Sequence, residues 1–233
     1  MTSALSVILV IGIVVAVGFL RDSLRTQAIA RWGRTHGFSR VPQAEQNSER
    51  LLAWAQRFRP DNAFRWGIVL RNGQEDRETT IAEHEENRLS RADRWHTLAV
   101  TRVPGLKMSA VRIIRAGSPV VRRVTDAATA PGRVARDRLG IEVTGKPAVH
   151  PVGQGKWAVE IADEDALAFW SAETQASAID RWTHDAELAA VDDYVLVRTP
   201  GLMTAARLDP LVASMEAARA LFIEAGARRS LNR

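Results

Sequence analysis

The chain has 233 residues, with 46% hydrophobic residues, 25% charged residues and a formal net charge of +5. This composition is typical of a folded globular chain and excludes wholesale disorder, and the length fits one ordinary domain or one domain plus an appendage. The absence of cysteine excludes disulfide scaffolds, thiolate zinc sites, cysteine nucleophiles and iron–sulfur clusters. Because the chain has no lysine-rich run and no RNA-binding signature, nucleic acid is not an expected partner.

The N-terminal segment 1–20 has no charged side chain and consists mostly of Val, Ile, Leu, Ala and Gly. Twenty helical residues rise about 30 Å, the thickness of a bilayer's hydrocarbon core, so the segment predicts a single transmembrane helix. A cleaved signal peptide, with Ala16-Val17-Gly18 as its cleavage site, is the alternative, but signal peptides normally begin with a basic stretch that this chain lacks.

Basic residues follow the span closely, opposed by the single acidic residue Asp22; they are Arg21, Arg25, Arg31 and Arg34. By the positive-inside rule, the N-terminus lies outside and the C-terminal domain is cytoplasmic, at the inner membrane. Arg21 and Arg25 are predicted to contact an anionic lipid surface or a partner, since arginines close to the inner leaflet are attracted to it.

Four segments are expected: an anchor (1–20), a juxtamembrane helix and linker (21–42), an α+β cytoplasmic domain (43–226) and a basic tail (227–233). The juxtamembrane helix is predicted from Asp22 to His36 and ends before Gly37. The helix is indicated by Leu24, Ala28 and Trp32, which are spaced four residues apart.

The domain begins with a predicted helix from Ser48 to Phe58, followed by a hairpin whose strands, 64–71 and 77–85, flank an Asn72-Gly73 turn. A strand from Arg94 to Val103 alternates in hydrophobicity and ends at a Pro104-Gly105 turn. A strand and a short helix are expected within 111–124, and the segments 127–132 and 144–155 are predicted loops.

The C-terminal part is predicted as a strand (156–162), a helix capped by Asp163 and a helix over 174–182. A strand pair, 188–191 and 194–198, follows around Asp192-Asp193. The last helix is predicted to be capped by Asp209, with Pro210 in its first turn and a buried stripe of Leu211, Met215, Ala218 and Phe222. Consecutive strands with short turns predict an α+β fold, a mostly antiparallel sheet with helices packed on its faces.

One motif recurs. Arg102-Val-Pro-Gly-Leu106 and Arg198-Thr-Pro-Gly-Leu202 both follow a predicted strand. The same turn chemistry used twice is the favoured interpretation, and a duplicated unit is the alternative.

Motifs for catalysis are weak, so no catalytic residue, cofactor, metal ligand or small-molecule substrate is assigned. His84-Glu85-Glu86 lacks the second helical histidine of a zinc-protease motif, and 153–156 lacks the first glycine of a phosphate-binding loop. The alternative is a membrane-bound, hydrolase-like enzyme whose site is assembled from scattered groups such as His96, His184 and Asp185.

The seven tryptophans are mostly expected in the core. Three of them lie in predicted strands, Trp66, Trp95 and Trp157, and are candidate contacts for a lipid or a partner. A groove between sheet and helix lined by several tryptophans would hold an acyl chain or a partner's apolar helix, which makes a lipid-binding domain a further alternative.

The order of parts resembles a group of actinobacterial single-pass membrane proteins. The resemblance rests on the uncharged span, on Ala30-Arg-Trp-Gly-Arg-Thr-His-Gly-Phe38, on Trp157-Ala-Val-Glu-Ile-Ala-Asp163, and on the Pro200-Gly201 turn before the last helix. Within this group the chain is most similar to the trehalose monomycolate transport factor family. That resemblance implies an anchored, non-enzymatic accessory subunit of an inner-membrane complex that exports envelope lipid, and it carries over no functional residues.

Overall fold

The computed structural model describes residues 2–45, 51, 54, 64–73, 78–86, 95–106, 108–115, 148–152, 156–161, 170, 178–179, 182 and 186–231. The elements with described bounds are two long helices, a short 3₁₀ turn (Gln43–Glu45) and nine strands. The helices are α1 (Thr2–Thr35) and α2 (Ala205–Leu231). The strands are β1 (Ser39–Arg40), β2 (Phe64–Asn72), β3 (Thr79–Glu86), β4 (Trp95–Arg102), β5 (Met108–Arg115), β6 (Ala148–Val152), β7 (Trp157–Ile161), β8 (Glu187–Asp192) and β9 (Tyr194–Pro200).

The strands form one sheet in the order β1-β2-β3-β4-β9-β8-β5-β7-β6, and every neighbouring pair is antiparallel. The predicted α+β fold is therefore confirmed. Both predicted hairpins, β2–β3 and β8–β9, are present, and Asp192 adopts a positive φ of 53° in the tight β8–β9 turn. The predicted strands at β4 and β7 are also present.

One predicted loop is wrong, because the segment 144–155 contains the strand β6. The glycines and prolines of this segment are typical of a loop, yet Pro151 pairs with Ala158 of β7. β6 is an edge strand of the sheet, and an edge strand tolerates proline because one side of its backbone makes no ladder hydrogen bonds.

α1 is one continuous helix that includes both the predicted anchor and the predicted juxtamembrane helix. It ends as predicted: Gly37 has a φ of +74°, and the amide of Phe38 donates to the carbonyl of Gly33 over 2.7 Å, as in a Schellman cap. The helix signalled by Leu24, Ala28 and Trp32 is present, but of these three residues only Trp32 is buried.

The face of α1 that packs on the domain consists of Arg25, Ile29, Trp32 and Gly33, whose spacing places them on one side of a helix. This face begins with an arginine, so a pattern of apolar residues does not reveal it.

The predicted start of the last helix is also wrong. α2 begins at Ala205, so Asp209 is not its cap and Pro210 lies in its second turn. Proline has no N–H to donate to the carbonyl four residues earlier, and the helix continues past this missing bond. The predicted buried stripe of α2 is confirmed. The helix extends to Leu231, so residues 227–231 of the predicted basic tail are helical.

Both faces of the sheet are covered by apolar residues. One core lies between the sheet and the two long helices, and it includes Ile29, Trp157 and Phe222. The other core lies on the opposite face and includes Leu51 and Trp54, which are helical. The rest of the predicted helix 48–58, the segment 116–147 and most of the predicted helices 163–182 lie outside the described residues.

Candidate functional site

The packed half of α1 is joined to the sheet by a buried carboxylate. Glu83 on β3 is 1% exposed, and its Oε1 accepts hydrogen bonds from Arg25 Nη1 (2.6 Å) and from the backbone amide of Met203 (2.9 Å). Arg25 Nη1 also donates to the carbonyl of Met203 over 3.1 Å. These three residues, which we call the Arg25–Glu83 junction, tie α1, β3 and the β9–α2 loop together.

Glycine at position 67 makes room for this carboxylate. A methyl group on Gly67 would overlap Oε2 of Glu83, and the β2–β3 register shifts between Trp66 and Val69, beside it. A β-bulge displaces the strand at such a point, which leaves space for a large side chain of the neighbouring strand. The local structure of β2 therefore allows Glu83 to be buried with its ionic partner, as a buried charge requires.

A second polar contact joins α1 to α2. Trp32 Nε1 donates to Asp209 Oδ1 over 2.7 Å, and the ring of His36 stacks on Trp32 with a centroid distance of 4.3 Å. His36 Nε2 lies 3.6 Å from the same carboxylate oxygen. Asp209, predicted as a helix cap, instead fixes the C-terminal end of α1 against α2.

The N-terminal half of α1 projects from the domain. Its large apolar side chains between Val7 and Leu24 are 50–75% exposed. The helix is long and apolar enough to cross a membrane, and none of its most apolar window is buried. A membrane anchor and a signal sequence both satisfy this test of length and composition.

Of the five candidate contact residues, three lie close to the base of this projecting half. Arg21 is exposed on α1, Arg25 is in the junction, and Trp95 is half-buried at the start of β4. Trp95 pairs with Glu85, which lies two residues beyond Glu83 on the same face of β3. The structure thus brings together residues that are up to 74 positions apart in the chain.

The other two candidates are elsewhere. Trp66 packs against the core on the opposite face of the sheet, and Trp157 is completely buried in the core beneath the helices. The three tryptophans therefore do not line one groove. Arg115 and Lys156 approach the ring of Trp157 at 5.8 and 6.0 Å from its centroid.

Two histidines form a buried pair that the sequence did not reveal. His84 and His96 are directly opposite each other on β3 and β4, with ring centroids 5.6 Å apart, and Trp66 contacts His84 from β2. Only the strand register brings these residues together, so no local signal predicts the pair. In the part of the chain that the structure describes, no three His, Asp or Glu side chains are grouped as metal ligands. His184 and Asp185 lie outside the described residues.

A cavity of about 200 Å³ lies at the other end of the sheet. It is smaller than the roughly 300–1,000 Å³ of ordinary small-molecule sites, and it offers little room for an acyl chain. The residues that line it are Phe38, Asn72, Thr79, Thr101, Val212, Met215, Glu216 and Arg219.

Comparisons with known proteins relate the chain to others by fold alone. No protein-family model matches it, and no curated protein matches it in sequence. Among solved structures, the crystal structure of the mycobacterial trehalose monomycolate transport factor A, TtfA, superimposes with a TM-score of 0.53 and 12% sequence identity. The match covers 84% of this chain and 92% of that one, so the two proteins share a distant resemblance in overall fold.

Proposed function

We propose that the chain is a membrane-anchored, non-enzymatic accessory subunit that supports the transport or assembly of envelope lipids by binding an integral membrane protein complex. The observation that carries the proposal is the division of α1 into an exposed apolar half and a half packed into the domain, with no break between them. An isolated helix with apolar side chains exposed all around it is stable in a bilayer, where its backbone groups are satisfied internally.

The choice of lipid transport is supported by the likeness in fold to a trehalose monomycolate transport factor. The same likeness covers most of both chains, which supports a shared domain architecture. In this proposal the segment 1–20 is retained, and the arginines that follow it place the domain in the cytoplasm. The intact mass of the mature protein tests retention, and protease accessibility in intact cells tests the orientation.

The decisive experiment is affinity purification of the full-length chain in mild detergent after crosslinking in cells. We expect stoichiometric recovery of a polytopic envelope-lipid transporter or envelope-synthesis enzyme. A matched variant, in which an unrelated apolar helix replaces residues 2–20 and residues 21–233 are kept, tells whether the span or the domain binds that partner. Recovery of the chain alone, with crosslinking confirmed on a known membrane complex, would contradict the proposal.

A further inference from the structure

The direction of α1 across the sheet defines which end of the domain is nearest the membrane. Arg25 contacts Glu83, whereas Gly33 near the end of the helix approaches Leu70, and Gly37 just after its end approaches Asn72. Because Leu70 pairs with Ile81 and Asn72 pairs with Thr79, α1 runs antiparallel to β3. The projecting half of α1 therefore leaves the domain at the sheet end where β3 finishes, β2 and β4 begin, and β9 finishes.

The distance from the apolar span to this sheet end is short. Arg25 lies five residues after Leu20, which is about 7 Å along a helix that rises about 1.5 Å per residue. One headgroup layer of a bilayer is about 5–7 Å thick. With residues 2–20 in the hydrocarbon, the Arg25–Glu83 junction lies at the outer edge of the headgroups, and the sheet end beside it meets them.

The orientation follows from the continuity of α1 and from its contacts with the domain. The helix is continuous from Thr2 to Thr35, and Arg25 holds it by hydrogen bonds to both Glu83 and Met203. Ile29 and Trp32 are then buried under α2 and the sheet. The domain is thus a rigid continuation of the anchor helix, unlike a domain on a flexible linker.

The side chains at this end suit a membrane interface. Leu202, next to Met203 of the junction, is 40% exposed and is one of two exposed large apolar side chains among the described residues outside α1, the other being Ile223. Arg65 is exposed at the start of β2, and Arg207 is exposed while it donates to the carbonyl of Pro200.

Trp95 completes a row across three strands, in which Arg65, Glu85 and Trp95 are in register. Tryptophan favours the bilayer interface, and the arginine guanidinium binds phosphate through paired hydrogen bonds. Of the nearby acids, Asp22 is held by Arg25, Glu85 lies between Arg65 and Trp95, and Glu86 pairs with Phe64 at the end of β3.

We propose that this end of the domain is a bilayer-contact surface, formed by Arg21, Arg65, Trp95, Leu202 and Arg207, whose ligand is the phosphodiester headgroup layer of the membrane. The proposal rests on α1 lying in a bilayer and does not depend on which protein the chain binds. It assigns the exposed arginines to lipid phosphates, and it assigns Leu202 and Trp95 to the boundary between headgroups and hydrocarbon.

The recurring Pro-Gly motif provides a matched test. Pro200 and Leu202 lie at the proposed surface, whereas the exposed Pro104 occupies the equivalent turn at the opposite end of β4. The two ends are separated by seven residues of strand, about 23 Å. Since the chain has no cysteine, Pro104→Cys, Pro200→Cys, Leu202→Cys and Leu9→Cys each introduce a single thiol for a spin label.

The full-length labelled variants are reconstituted in phosphatidylcholine–phosphatidylglycerol vesicles that contain a nickel-chelating headgroup lipid. We expect the nickel on the lipid headgroups to relax the spin labels at positions 200 and 202 several-fold more strongly than the label at position 104. The spin label at position 9 should be relaxed by oxygen, which enters the bilayer, but not by a water-soluble nickel complex. Thermal unfolding curves show which variants are folded, and two test positions keep the result independent of one failed variant.

Equal relaxation at both ends of the sheet, with position 9 embedded, would overturn the bilayer-contact surface and leave the proposed accessory function standing. Position 9 exposed to water would overturn both the anchor and this surface. Conversely, if headgroup nickel relaxes the labels at positions 200 and 202 but not the label at position 104, the bilayer-contact surface is supported even when affinity purification recovers no protein partner.

Discussion

The guanidinium of Arg25 on α1 lies 2.6 Å from the carboxylate of Glu83 on β3, 58 residues later in the chain. The Glu83 side chain is 1% exposed and that of Arg25 is 20% exposed, so the ion pair lies at the edge of the core. A carboxylate in this position is stable only with its partner, because an uncompensated buried charge is costly. The stability of the domain therefore depends on the packing of α1 against the sheet.

Replacing Glu83 by alanine should lower the free energy of unfolding by about 3 kcal/mol. This is the lower end of the range for a broken buried ion pair, because one fifth of Arg25 remains exposed to solvent. Urea unfolding of the full-length chain in detergent, followed by tryptophan fluorescence, measures the change. Glu216→Ala is the control, since Glu216 forms an exposed pair with Arg219 at 3.5 Å and should contribute less than about 0.5 kcal/mol. Equal losses in the two variants would show that the junction has no special role.

Trp32→Phe tests the contact between the two long helices. The change keeps an aromatic ring but removes the Nε1–H that donates to Asp209 over 2.7 Å, so we expect a loss of about 1 kcal/mol of unfolding free energy. Asp209→Asn retains an acceptor oxygen and should cost less. Denaturant titration of both variants measures which one loses more unfolding free energy. A larger loss in Asp209→Asn would mean that the carboxylate's charge, not the hydrogen bond, stabilises this contact.

The two Pro-Gly turns should respond differently to the same substitution. Gly105 and Gly201 have φ angles of +83° and +99°, so alanine is strained at both positions, by about 1–2 kcal/mol. Open space surrounds a Cβ at Gly105, whereas a Cβ at Gly201 would displace the Arg207 guanidinium and break its hydrogen bond to the carbonyl of Pro200. Thermal unfolding should therefore show a larger decrease in Tm for Gly201→Ala than for Gly105→Ala. The reverse order would contradict the position of Arg207 over this turn.

Breaking α1 between its two halves should free the domain from its orientation at the membrane. Ser23→Pro removes one helical hydrogen bond and introduces a steric clash, at a cost of about 3 kcal/mol to a continuous helix. We expect the difference in headgroup relaxation between positions 202 and 104 to disappear. Ser23→Ala is the control and should preserve the difference. If the difference persists in Ser23→Pro, the domain binds the bilayer without help from the rigid helix.

Much of the fold was predictable because it is encoded locally. The apolar segment 1–20 and the stop at Gly37 depend on nearby residues, and each was identified from the sequence. The predicted Asn72-Gly73 turn is displaced, because Asn72 belongs to β2 and pairs with Thr79. The hairpins β2–β3 and β8–β9 follow from alternating hydrophobicity on both sides of a short turn. The strand β6 was missed because edge strands tolerate proline, and a position at the edge is a property of the whole sheet.

The sequence by itself thus determined that the chain has an apolar helix long enough for a membrane and an antiparallel α+β domain. The tertiary structure decided which face of that helix is buried and what lies beside it. Arg25 belongs to the buried face only because it forms an ion pair with Glu83. Trp95 lies near the base of the projecting half of α1 only because β4 pairs with β3. The periodicity of hydrophobic residues predicts which face of a single helix or strand is buried, whereas ion pairs and strand register join residues far apart in the chain. The proposed bilayer-contact surface is built from such long-range contacts.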